Sequence, residues 1–309
     1  MTHTNAFFHF PTTGWLQISG ADRVDFLQRQ STNDITLLTA EHVITTVLTN
    51  AAARILDVLQ LVSMGDVTLG AIPLPGRAAA TAHFLKRRIF FMDKVTVTDS
   101  SAEIVMLDLV GAGAADILQG YGVTPPGLDA LAHGEIQGIP VRVLGQRGLL
   151  GDGYRLLAES NFRDQLAAAA GSAGAKSLSE DEVEVLRVEA GLPGPLRELT
   201  EDYTPLEMRL EHLISDKKGC YTGQEVIARQ ITYDKITKSL AGLRLAAPVN
   251  PGDRVFVEDA AVGEVTSAVH SPRFGTLALA VIKRPHFERG MVVEVQGVRG
   301  QVTNLPFID

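Results

Sequence analysis

Apolar positions along the first half of the chain follow two alternating rhythms. Runs of period two, or rich in β-branched residues, predict strands over residues 14–19, 42–49, 54–64, 67–72, 94–98, 103–110, 136–144 and 154–158. Helical spacing predicts helices between them. One covers 21–30, with Val24 and Leu27 on one face and Ser19 as an available cap. A second covers 75–88, opened by Pro75 and closed by Lys86, Arg87 and Arg88, as the helix dipole prefers. A third covers 112–119 and is stopped by Gly120, and a fourth covers 161–170. The order β-α-β-β-β-α-β followed by β-α-β-β-α predicts an α+β fold built from two ferredoxin-like split βαβ units.

The second half changes rhythm. Ser179 and Glu182 have the spacing of a capping box, opening a helix that runs to about Ala190 and is closed by Gly191. Pro193, Pro195 and Pro205 make the next stretch a structured loop. Beyond residue 240 only short strands remain, at 240–245, 255–257, 263–269, 276–282, 291–295 and 299–302, punctuated by Gly and Pro. That pattern predicts a small C-terminal antiparallel β-barrel. The expected domains are 1–237, with two subdomains, and 238–309, the barrel.

Composition narrows the function classes. The 309 residues are 45% hydrophobic and 21% charged, as in an ordinary globular protein. The net charge of −8 argues against a general nucleic-acid binder. Polar residues interrupt every apolar run well short of a membrane span. The first ten residues show no secretory or transit pattern, so a cytoplasmic protein is expected. Cys220 is the single cysteine. It excludes an intramolecular disulfide and a site with several thiolate ligands, so no bound metal is expected. The eight histidines are scattered, with no i, i+4 pair. Gly111-Ala112-Gly113-Ala114-Ala115-Asp116 imitates a dinucleotide fingerprint. However, Asp116 stands where the third glycine belongs, and a carboxylate there would repel a pyrophosphate; a tight strand-to-helix turn is the simpler reading. Charge is unevenly spread: residues 180–211 hold ten acids against three Lys/Arg, whereas 209–244 hold seven Lys/Arg against four acids. The second stretch is either a solvated basic surface or a local anion site.

The richest chemistry lies in residues 217–229, Lys-Lys-Gly-Cys-Tyr-Thr-Gly-Gln-Glu-Val-Ile-Ala-Arg. Two lysines precede Cys220, and a helix is predicted to start near Gln224. Cations and a helix N-terminus both favour a thiolate. Gly219 and Gly223 allow sharp turns and close approach of a ligand. The plainer alternative is a small buried apolar residue in a loop.

Lys218-Gly219-Cys220-Tyr221-Thr222-Gly223-Gln224-Glu225 resembles the K-G-C-[FY]-x-G-Q-E signature of the YgfZ-type, tetrahydrofolate-dependent iron–sulfur assembly proteins, relatives of the glycine-cleavage T-protein (GcvT, aminomethyltransferase). Residues 18–28 and 31–34 resemble the family's N-terminal segment, Arg187-Val188-Glu189-Ala190-Gly191 its R-x-E-a-G helix end, Thr204-Pro205-Leu206-Glu207 its following loop, and 263–267 with Ser271-Pro272 its barrel. The resemblance spans nearly the whole chain. It implies three subdomains ringing a central folate site, and tetrahydrofolate or a one-carbon derivative as cofactor.

By that resemblance Glu189 hydrogen-bonds the pterin, a role that suits a fixed carboxylate facing adjacent N–H donors. Arg187, Lys218, Gly219, Tyr221, Gly223, Gln224 and Arg229 are the other expected cofactor contacts; for the polyanionic folate tail the nearest candidates in the basic 209–244 stretch are Lys217, Lys218 and Arg229. The family's acidic pair falls on Asp57 and Val58, so one carboxylate remains, which argues against glycine-cleavage chemistry. The expected catalytic residues are Cys220 and Asp57. Two functions follow. The first is a folate-binding accessory factor for assembly or repair of iron–sulfur clusters in client enzymes, including those that modify tRNA. The second is a tetrahydrofolate-dependent aminomethyltransferase or other one-carbon transferase. The expected partners are transient iron–sulfur client or assembly proteins, with no direct nucleic-acid or membrane contact, and a monomer is expected.

Overall fold

The computed structural model describes residues 5–10 and 12–307. Residues 1–4, which include His3 and part of the stretch read for a leader, lie outside the described residues, as do 11, 308 and 309. The chain forms two compact units, one from residues 1–49, 56–179 and 213–222, the other from 50–55, 180–212 and 223–309.

The first unit contains two sheets of related design. In one, the spatial order is Ile44–Thr49, Ile55–Ser63, Thr68–Ile72, Leu16–Ser19, Thr96–Asp99. Ile18 sits opposite Leu69 on one side and Val97 on the other. Leu16, Ile18, Leu59 and Leu61 share a face and pack against Phe26 and Leu27 of helix Arg23–Gln30 and Ala82 and Leu85 of helix Ala78–Lys86. The second sheet runs Lys176–Ser177, Ala6–Phe8, Ile104–Val110, Gly151–Glu159, Ile139–Gly148, Leu131–Ile136. Its covering helices are Ala114–Gly120 and Arg163–Ser172. Numbered within each repeat, both sheets have the order fifth, first, fourth, third, second. In the second sheet Ala6–Phe8 is inserted between the fifth and first strands, parallel to one and antiparallel to the other. A further apolar cluster, with Trp15, Val62 and Ile72 from one repeat and Met106, Leu144 and Leu157 from the other, joins the faces the helices leave free. The duplicated α+β design read from the sequence is therefore present.

Several local expectations need correction. The run 136–144 is not one strand: Gln137 and Gly138 both adopt positive φ (51° and 83°) and turn it into a hairpin with Leu131–Ile136. Ser19 does not cap the first helix; it stays in its strand and bonds Thr68, and Asp22 takes the cap position without a side-chain bond. Gly120 does not stop its helix, which includes it; Gly122, with φ +78°, lies just beyond. At Gly113 the strand-to-helix turn is so tight that a Cβ would meet the Asn5 side chain at 2.6 Å. This fits the turn reading of 111–116.

The second unit is built on a closed six-stranded barrel in the order Lys238–Leu245, Gly275–Lys283, Ala260–Ser271, Arg254–Val257, Val292–Val295, Val298–Thr303. Its interior is packed by Leu243, Val255, Val265, Ala278, Ala280, Ile282 and Val295. Helix Glu180–Glu189 opens with three acids and carries Arg187 in its last turn, complementing its dipole. Gly191, at φ +66°, lets the chain leave it. The Phe307 N–H donates to the Glu189 carbonyl at 2.9 Å, tying the end of the chain to this helix. No helix among the described residues is long and apolar enough to cross a membrane.

Candidate functional site

The residues singled out from the sequence are spread over both units. In the barrel unit, Glu189 ends its helix and is almost completely buried, at 1% exposure. Its carboxylate accepts from the Ser271 hydroxyl and from the Arg273 guanidinium. A carboxylate offers about four lone-pair sites, so acceptor capacity remains. Arg273 is 32% exposed.

Arg187, expected to contact cofactor, does not have the freedom to do so. Nε and one Nη donate bidentately to Glu184 at 2.8 and 2.7 Å. The remaining N–H groups go to the Leu192 carbonyl at 2.5 Å, to Glu198 at 3.3 Å and to the Ser267 hydroxyl at 2.7 Å. All five donors of the guanidinium are used inside the protein. Glu198 is fully buried and also accepts from the Gly194 N–H and the Ser267 hydroxyl, both at 2.7 Å. Burial alone would raise the Glu184 carboxyl; the bonds and charge of Arg187 overcome this and hold it below its ordinary range. This network fixes the loop after the helix and ties it to barrel residue Ser267, beside the register shift between Val265 and Ser267.

In the first unit, residues 213–222 are pinned at both ends. The Lys218 ammonium is buried and donates to the carbonyls of Ser31 and Asn33, each at 2.6 Å. It also stands 5.1 Å from the centre of the Tyr221 ring. Burial pushes Lys218 down to about 8, against the opposing pull of Asp34. Lys218 is thus a strut of the loop, and the expectation that it reaches for a folate tail is corrected: two of its three donors are turned onto backbone. Downstream, the Thr222 N–H donates to the Arg29 carbonyl at 3.2 Å, and the Thr49 hydroxyl donates to the Thr222 carbonyl at 2.6 Å. Tyr221 is buried, whereas Gly219 and Cys220 between these anchors are exposed. The plainer reading of Cys220 as a buried packing residue is thereby excluded. Gly223, at φ +86°, precedes helix Gln224–Thr232, where the sequence placed its start. Arg229 is exposed and paired with Glu225 four residues earlier.

Asp57, the remaining acid of the expected pair, is fully buried in its strand. It accepts from the N–H of Val58 at 2.8 Å, the N–H of Leu74 at 3.0 Å and the Thr81 hydroxyl. It thereby fastens the strand to the turn and helix that follow. Burial pushes its carboxyl up to about 6, opposed by those donors and by the Arg77 charge.

Ser267, Ser271 and Arg273 escaped the sequence reading as site residues. Ser271-Pro272-Arg273, at a barrel turn, was the only available signal, and nothing in it links to a helix end more than eighty positions earlier.

A duplicated α+β domain joined to a closed barrel, with a buried helix-end carboxylate and an exposed cysteine loop, defines a narrow class. Residues 2–218 match the GCVT N-terminal domain and residues 238–309 the glycine cleavage T-protein C-terminal barrel domain. The chain belongs to the glycine-cleavage T-protein family. It is 31% identical to a chloroplastic Arabidopsis thaliana protein that carries a provisional transferase name, over 96% of this chain and 69% of the relative. It is 26% identical to the aminomethyltransferase of Symbiobacterium thermophilum, over 95% and 84% of the two chains. The crystal structure of glycine cleavage system aminomethyltransferase T from Bartonella henselae superposes with a TM-score of 0.88 at 22% identity, covering 99% of this chain and 87% of that one, and shares its fold. Proteins of this family bind tetrahydrofolate or its derivatives. The donor set is compatible with such a ligand: Glu189 has acceptor capacity beyond its bonds to Ser271 and Arg273, which suits the paired N–H donors of a pterin.

Proposed function

We propose that this protein is a cytoplasmic, tetrahydrofolate-binding accessory factor of the YgfZ type that supports assembly or repair of iron–sulfur clusters in client enzymes, among them enzymes that modify tRNA. The observation that carries this reading is the presentation of Cys220: the chain's only thiol is exposed on a short segment locked on either side by buried anchors, Lys218 and Tyr221. A lone thiol cannot hold a cluster, so its work is transient and shared with a client's cluster, sulfur atom or thiol. The thiolate is the reactive form. Glu189 holds the pterin through its free lone pairs, beside Arg273. Tetrahydrofolate supplies one-carbon chemistry when bound.

The second reading, aminomethyl transfer, is favoured by the names of the relatives. Against it, Val58 occupies the position of the second acid, and Asp57 is committed to backbone and Thr81.

Cys220→Ser is nearly isosteric at an exposed position, so stability is expected to shift by less than about 0.5 kcal/mol. In cells lacking the wild-type protein, this variant is expected to leave iron–sulfur client activity several-fold below that restored by the wild type. Full restoration by Cys220→Ser would remove the thiol from the function. Glu189→Gln keeps the shape and loses the charge. Charge-assisted bonds exceed neutral ones by about 1–2 kcal/mol, so the Kd for tetrahydrofolate, measured by calorimetry, is expected to rise roughly tenfold. An unchanged Kd would move the pterin elsewhere.

A further inference from the structure

The segment Lys86-Arg87-Arg88-Ile89-Phe90-Phe91-Met92-Asp93-Lys94 links helix Ala78–Lys86 to strand Thr96–Asp99. In the structure it is the most apolar exposed stretch of the described residues. Phe91 is 96% exposed, Met92 73% and Phe90 69%. Single exposed apolar residues are ordinary, but three consecutive large ones on a surface loop mark an interaction site.

The loop is held in shape. Asp93 accepts from the Phe90 N–H at 3.0 Å, and its own N–H donates to the Phe90 carbonyl at 2.9 Å, closing a four-residue turn. Arg29 donates to the Asp93 carboxylate at 2.7 Å. The Asp93 carboxyl lies below its ordinary range, chiefly through the Phe90 N–H. Phe90, Phe91 and Met92 are therefore displayed from a fixed turn, and little ordering entropy opposes their use.

Two further features give the loop a direction. Arg29 holds both this turn, through its side chain, and the cysteine segment, through the bond from the Thr222 N–H to its carbonyl. The apolar tip and Cys220 thus hang from one residue of one unit. The flanking segment is also cationic in an acidic protein: Lys86, Arg87 and Lys94 are all exposed, and Asp93, the one acid among them, is paired with Arg29.

We infer that the Phe90–Met92 turn is the docking element for a protein partner, one that offers an apolar pocket rimmed by acidic side chains and is thereby brought beside Cys220. Aromatic residues, Met and Arg are the residues enriched at protein interfaces, and the cationic rim selects an acidic surface. An anionic membrane would meet the same cationic rim, and photo-adducts to lipid rather than to protein are the outcome that would favour it. The inference deepens the accessory role proposed above and rests on it for the identity of the partners as thiol- or cluster-bearing proteins.

The test uses the full chain with a benzophenone side chain in place of Phe91, irradiated in cells. One or a few discrete protein adducts are expected, and each captured protein is then purified and titrated against the wild-type chain. Its Kd is expected to rise at least tenfold in Phe91→Ser. It is also expected to rise steeply between 50 and 300 mM salt, as a cationic rim requires. Thermal stability and the tetrahydrofolate Kd of Phe91→Ser are expected to match the wild type, so a folding defect is separable from lost docking. Adducts only between two copies of this chain, adducts only to lipid, no adducts, or a Kd indifferent to Phe91→Ser would each overturn the inference. The same irradiation in a Cys220→Ser background separates the two readings. Adducts retained while client activity falls leave docking and thiol chemistry both standing. Adducts retained with client activity intact would sink the thiol reading alone.

Discussion

Replacing Arg187 by methionine is expected to destabilise the protein by about 3–5 kcal/mol, the cost of stranding a buried charge. The side chain is aliphatic and similar in length, so packing volume is roughly kept and the effect isolates the guanidinium. Its loss leaves Glu198 fully buried with no cation. It also removes the donor from the Leu192 carbonyl and the bidentate partner from Glu184. Lysine is not expected to rescue, because a single ammonium cannot reach Glu184 in two places, Glu198, Ser267 and a carbonyl from one position. Urea unfolding of Arg187→Met, Glu198→Leu and the double variant measures the pair. The double variant is expected to be less damaged than the sum of the two singles, since removing both charges leaves neither unpaired. Strict additivity, or an Arg187→Met variant within about 1 kcal/mol of wild type, would show that the network is not holding the loop. The R-x-E motif thus has a divided role: Glu189 keeps open acceptor sites, and Arg187 makes the frame that holds it.

Arg187 also shows where sequence reading stops. The motif marked both residues as candidates because type and spacing were all it offered. What separates them is the use of the guanidinium by Glu198, eleven positions on, and by Ser267, eighty positions on. Asp57 is similar. Between Leu56 and Val58 it reads as a polar interruption of a strand, and its partners at Leu74 and Thr81 are visible only once the helix has folded back. Barrel strands were legible because alternation and Gly/Pro punctuation are local signals. The hairpin at Leu131–Ile136 was hidden, because His133, Gly134 and Glu135 break its apolar alternation. Ala6–Phe8 was hidden for another reason: three residues carry no period, and the strands that flank it come from positions 104–110 and 176–177. The loop at Cys220 was legible as chemistry but not as exposure, which depends on Ser31, Asn33 and Arg29 holding its ends.

Asp57 is expected to make stability depend on pH in the sense opposite to that of a salt-bridged acid. Its folded carboxyl is raised to about 6, with burial as the main cause, against an ordinary value of 3.8. The folded state therefore binds the proton more tightly than the unfolded chain. Stability relative to a variant lacking this proton then rises as pH falls through 6 and levels off below the unfolded value. Asp57→Asn is the reference: its amide oxygen still accepts from Leu74, and the Thr81 hydroxyl can turn to accept from the amide. At pH 7.5 the wild type carries a buried charge, and the variant is expected to equal or exceed its stability. By pH 5 the balance is expected to move toward the wild type by about 1.5 kcal/mol, approaching about 3 kcal/mol at lower pH. Urea unfolding of both proteins at matched pH values measures the difference and cancels the titrations they share. A gap that stays flat between pH 7.5 and 5 would mean that Asp57 keeps an ordinary carboxyl and that its three donors outweigh its burial. The result also bears on aminomethyl transfer. A carboxyl that spends its hydrogen bonds on Val58, Leu74 and Thr81 is fitted to hold a strand against a helix. Measurable methylene-tetrahydrofolate formation that is lost in Asp57→Asn, without loss of stability at neutral pH, would instead give it a reacting partner.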